Sequence, residues 1–71
     1  MSISHAERAA AEVRAALARH KITQTSLAAQ TGRSQAYWSR RLSGARALSM
    51  DDLATVAEIT HTTVAKLAGA A

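Results

Sequence analysis

The 71-residue chain has no cysteine, no proline and no phenylalanine, and its aromatic side chains are one Tyr and one Trp. Without cysteine there is neither a disulfide framework nor a thiolate metal site. His5, His20 and His61 lack the i,i+4 spacing and neighbouring carboxylates of a metal site, so neither metal nor cofactor is expected. β-Branched runs are few, whereas 18 of the 34 hydrophobic residues are alanine, which favours helix over sheet. No apolar run has the length of a membrane span and no signal-peptide pattern opens the chain. The expectation is a soluble, cytoplasmic, all-α protein with no membrane partner. At this length it forms one domain, residues 1–71, near the lower limit for a self-sufficient core. Large apolar side chains are scarce, so closely approaching helices must bury Ile22, Leu27, Trp38, Leu42, Leu53, Val56, Ile59 and Leu67.

Acidic residues are missing from one long interval. The five acids are Glu7, Glu12, Asp51, Asp52 and Glu58, leaving none between Val13 and Met50. That interval holds Arg14, Arg19, Lys21, Arg33, Arg40, Arg41 and Arg46. A basic surface of this kind suits a polyphosphate partner, and on charge alone it suits an ordinary solvated face equally well. What decides between them is the stretch inside it, about residues 23–44. Thr23 is placed to cap a helix, with Ile22 stapled onto Leu27, and Leu27, Ala28 and Thr31 form a stripe at helical spacing. Gly32 supplies the positive φ of a sharp turn, Ser34 caps a second helix, and Gly44 sits where a helix-ending glycine belongs. On a helical wheel Trp38 and Leu42 point together to the core, while Ala36, Arg40 and Ser43 point away, flanked by Gln35 and Ser39. The pattern is helix-turn-helix.

At these residues the chain resembles the lambda-repressor-like (Cro/C1-type) helix-turn-helix regulators. The matching positions are Gln24 opening the first motif helix, Ala28 at the helix–helix contact, Gly32 in the turn and Gln35 opening the second helix. The string from Ser34 to Arg46, S-Q-A-Y-W-S-R-R-L-S-G-A-R, looks like a recognition helix and its following loop, and the resemblance runs from about Ile22 to Leu67. Two positions depart from the pattern. Trp38 is bulkier than the usual Val or Ile, and Arg41 stands where Leu or Ile is common, with Leu42 placed to take over its packing.

The resemblance implies a compact five-helix fold that binds double-stranded operator DNA, with recognition helix 35–43 in the major groove. Gln35 and Arg40 are the expected base readers, since an amide matches adenine N6/N7 and a guanidinium matches guanine O6/N7. Ala36 and Ser39 are expected to make close base contacts, and Gln24, Ser34, Tyr37, Arg41, Ser43 and Arg46 to line the DNA backbone. In the family resembled, the glutamine matching Gln24 contacts phosphate and braces the one matching Gln35, eleven positions later. Arg41 is compatible with a phosphate contact or a rim position, and Arg14, Arg19 and Lys21 with phosphate contacts or plain surface.

Outside the motif, a first helix is expected from about His5 to His20, opened by a Ser4/Glu7 capping box. A fourth runs from Met50 to about Thr60, capped by Ser49 with Asp52, and its free N–H groups beside Arg46 are a further candidate phosphate site. A short last helix, Val64 to Ala68, follows a cap at Thr62 or Thr63 and is ended by Gly69. By the same resemblance this helix is a homodimer contact, unless a missing C-terminal region supplies it. The functional expectation is a transcriptional regulator, a repressor of the phage-immunity kind. The rival is a helical protein–protein module, such as an antitoxin or co-activator domain, which requires an exposed apolar patch. Catalysis is not expected, because no glycine-rich phosphate loop and no nucleophile–base arrangement is present.

Overall fold

Five helices make up the computed structural model, which describes residues 4–68. They are α1 (His5–Arg19), α2 (Gln24–Thr31), α3 (Gln35–Leu42), α4 (Met50–Thr60) and α5 (Val64–Leu67). All five begin alike. Ser4, Thr23, Ser34, Ser49 and Thr63 adopt extended backbone, and each hydroxyl accepts from the N–H three residues on. Such a cap satisfies one of the orphan N–H groups of a helix start and contributes about 1 kcal/mol. The capping box at α4 is complete, with Ser49 N–H donating back to Asp52 at 2.9 Å. At α1 the Glu7 carboxylate accepts instead from the Ser4 hydroxyl, so only half of the box forms.

Three helix ends share a second device. Ile22, Arg33 and Thr62 donate backbone N–H bonds to the carbonyls of Leu17, Ala28 and Ala57, at 2.9, 3.2 and 3.0 Å. Each bond closes around a left-handed residue: Lys21 (φ 55°), Gly32 (φ 70°) and His61 (φ 54°). Only one of the three is glycine, although a side chain in this region costs roughly 1–2 kcal/mol. α1 therefore stops at Arg19, with His20 as its cap, one residue before the sequence-based end. α5 stops at Leu67 with Ala68 as its cap, and the expected role of Gly69 lies outside the described residues.

The core is drawn from every helix. Val13, Ala16 and Leu17 of α1 meet Leu27 and Ala28 of α2, Trp38 and Leu42 of α3, Leu53, Val56 and Ala57 of α4, and Leu67 of α5. α1 lies against α3, α4 and α5, while α2 packs on α3 and α4 on α5. The many alanines let these backbones approach closely. Ile22 and Ile59 pack at the edge of the core rather than within it. No strand occurs among the described residues, and no described helix is long and apolar enough to cross a membrane.

Candidate nucleic-acid interface

The turn between α2 and α3 is short because Gly32 takes the left-handed conformation and Ser34 immediately caps the next helix. α3 is then fixed on its inner side by Trp38, 1% exposed, and Leu42, 2% exposed. The indole N–H of Trp38 donates to Thr31 Oγ1 at 2.9 Å, and that hydroxyl donates to the Leu27 carbonyl at 2.8 Å. The extra bulk of Trp38 is thus accommodated with its one polar atom satisfied, and α2 and α3 are tied through it. Leu42 takes the buried position and Arg41 is left at the margin, 20% exposed. Gln35, Ala36, Ser39 and Arg40 remain together on the exposed side of α3.

The other flank of α3 is held by a buried carboxylate. Asp52, 4% exposed, accepts from the Tyr37 hydroxyl, from Arg41 Nε at 3.0 Å and from Ser49 N–H at 2.9 Å. Arg41 also donates to the Tyr37 carbonyl at 3.3 Å, and its guanidinium lies over the Tyr37 ring, 3.6 Å from the centroid. Arg33 approaches the same ring at 4.8 Å, and Tyr37 meets Trp38 edge-on at 5.3 Å. Burial pushes the Asp52 carboxyl up, but bonds from Tyr37 and Ser49 and the charge of Arg41 outweigh it, holding the carboxyl below its ordinary range. The bond to Asp52, then burial and the carboxylate charge, push the Tyr37 hydroxyl above its ordinary value despite Arg41 and Arg33.

These contacts revise the expected backbone set. Tyr37 has its hydroxyl proton committed to Asp52, whereas Arg41 spends Nε on Asp52 and one Nη1 N–H on the Tyr37 carbonyl and keeps its other N–H groups. Ser43 donates its hydroxyl proton to the Arg40 carbonyl at 3.0 Å and accepts from Ala45 N–H, leaving no donor for an anion. Ser34 accepts from Tyr37 N–H and keeps its own proton available. Gln24 and Arg46 are exposed and make no side-chain bond within the described residues. The expected Gln24–Gln35 brace is replaced: Gln35 Nε2 donates to Thr25 Oγ1. The start of α4 carries the Asp52 carboxylate, whose charge opposes the phosphate site suggested there. Arg14 donates to the Leu42 carbonyl at the C-terminal end of α3, where the helix dipole favours a cation. Among the described residues the single ion pair is Arg41–Asp52, so Arg33, Arg40 and Arg46 present unneutralised charge around α3.

A family model for the Cro/C1-type HTH DNA-binding domain matches residues 12–70. The chain belongs to that family. The match reaches ten residues further toward the N-terminus than the resemblance seen from the motif, taking in most of α1. Neither a search of curated proteins nor a search of solved structures returned a match. For this Cro/C1-type domain, DNA is therefore the partner, and the helix-turn-helix is α2–Gly32–α3.

The partners of Asp52, Thr25, Thr31 and Arg14 were not foreseen from the sequence. Asp52 carried one legible signal, its capping-box spacing from Ser49. Its pairing with Tyr37 and Arg41, fifteen and eleven positions away, had none. Thr31 was legible as a member of the α2 stripe but not as the acceptor for an indole.

Proposed function

We propose that this domain is a sequence-specific transcriptional regulator, a repressor of the phage-immunity kind that acts in the cytoplasm by occupying its operator sterically. One observation carries the reading. α3 is anchored on two sides, by Trp38 and Leu42 and by the Asp52 network, while it exposes an amide, an alanine, a serine and an arginine together. Such a surface enters the major groove, which admits an α-helix. Gln35 and Arg40 read base edges, with Ala36 and Ser39 against the groove floor. Gln24, Ser34 and Arg46 hold the backbone, and Arg33 adds charge. Tyr37 and Ser43 orient the helix and its end instead of touching phosphate, and Arg41, held by Asp52, turns its remaining N–H groups to the backbone. Counterion release supplies most of the affinity and makes it salt-dependent.

The domain acts as a homodimer, through α5 or through a region beyond it, on half-sites about one helical turn apart. The protein-interaction reading draws little support, since Met50, 69% exposed, is the single large hydrophobic side chain exposed among the described residues. Binding-site selection from randomised duplex DNA at two salt concentrations tests the proposal. An enriched inverted repeat is expected; binding without any enrichment would refute sequence-specific regulation.

A further inference from the structure

The amide of Gln35 has two N–H donors and one carbonyl acceptor. One donor is already used inside the domain, on the hydroxyl of Thr25, which stands in the first turn of α2. Both residues are exposed, so this bond joins two side chains on the surface of the motif. The part of the amide left to an incoming base is one N–H and one C=O. Adenine presents one acceptor, N7, and one donor, the N6 amino group; guanine presents two acceptors, N7 and O6. An unrestrained amide can turn both of its N–H groups toward guanine. One held by Thr25 cannot.

We infer that Thr25 is a specificity-determining positioning residue, which holds the Gln35 amide in the orientation that accepts adenine and rejects guanine. This rests on the proposed reading of bases by Gln35. It also explains why Gln24, the brace expected from the family, makes no bond to Gln35: the role is taken by its neighbour. The hydroxyl of Thr25 accepts in this bond, so its own proton remains for a backbone phosphate or water.

The test is binding-site selection with the full chain as wild type, Gln35→Ala, Thr25→Val and Thr25→Ser, each checked for an unchanged melting temperature. Wild type should enrich adenine over guanine at one position, by roughly 5- to 150-fold, the range for one bidentate amide–base pair. Gln35→Ala should erase the preference at that position alone. Thr25→Val, of the same shape without the hydroxyl, should bring the adenine-to-guanine ratio there most of the way toward one, while Thr25→Ser, which keeps the hydroxyl, should retain it. If Gln35→Ala changes no position, Gln35 does not read bases and both readings fall. A Gln35→Ala effect with a wild-type profile in Thr25→Val overturns the role of Thr25 and leaves Gln35 standing. Equal loss in Thr25→Val and Thr25→Ser also overturns it, since the hydroxyl would then not be the cause.

Discussion

Removing the Asp52 carboxylate should loosen the recognition helix from α4 and destabilise the whole domain. In Asp52→Ala the Tyr37 hydroxyl and Ser49 N–H lose their acceptor, at about 1 kcal/mol each. The Arg41 guanidinium loses its partner as well, but at 20% exposure it can turn to water. Its contribution therefore falls below the ~3–5 kcal/mol of a fully buried broken pair, and about 1 kcal/mol is reasonable. The sum of about 3 kcal/mol corresponds to a melting temperature lowered by about 12–24 °C in a domain of this size. Asp52→Asn keeps an acceptor for Tyr37 but turns an N–H₂ or a weaker oxygen toward Arg41 and Ser49, so about half that loss is expected.

The same carboxylate sets a pH dependence. Because its folded pKa lies below the unfolded one, the unfolded chain binds the proton more tightly. Its stabilisation is complete above the unfolded value of about 4 and is lost as pH falls through the folded value. Thermal melts followed by circular dichroism between about pH 2 and 7 should therefore show a shallower acid decline in Asp52→Asn than in wild type. The raised Tyr37 hydroxyl acts at the other end: its stabilisation is complete below about pH 10 and is lost as pH rises through the folded value. A melting shift below about 4 °C in Asp52→Ala, with superimposable acid limbs, would refute the claim that this carboxylate holds α3.

Trp38→Ala should cost roughly 3–5 kcal/mol as a core truncation, whereas Thr31→Val, which orphans only the indole N–H, should cost about 1–3 kcal/mol in the same melts. Gly44→Ala should be more damaging than Gly32→Ala. Both carry positive φ, 86° and 70°, but a Cβ at Gly44 meets Glu7 Cγ at 3.3 Å, while one at Gly32 meets nothing within 4 Å. Gly32→Ala should therefore cost only the backbone strain of about 1–2 kcal/mol. Arg46→Ala should weaken binding to all duplexes alike and reduce the slope of log K against log salt by about one; a loss confined to the selected site would make it a base reader instead.

By itself the sequence determined the local choices of this protein. Hydroxyl residues at Ser4, Thr23, Ser34, Ser49 and the Thr62–Thr63 pair, the glycine at position 32 and the apolar spacing placed all five helices and the side of α3 that faces the core; the structure chose Thr63 of the pair. These signals act within one or two turns of chain, so they can be read without knowing what lies across the fold. The sequence-based end of α1 falls one residue too late, because Lys21, which has a Cβ, occupies a left-handed position that glycine usually marks. The end of α4 at Thr60 was legible, although His61 is left-handed too. Only the tertiary structure decided which polar groups on the motif are free. Arg41 and Arg46 are both arginines in one basic interval, yet one is drawn onto a buried carboxylate eleven positions later and the other stays exposed. Tyr37 is turned inward by the same carboxylate, and Gln35 is held by Thr25 rather than Gln24. A side chain's partner depends on which helices pack together and at what register, and that is a property of the assembled core, not of any short stretch of the chain.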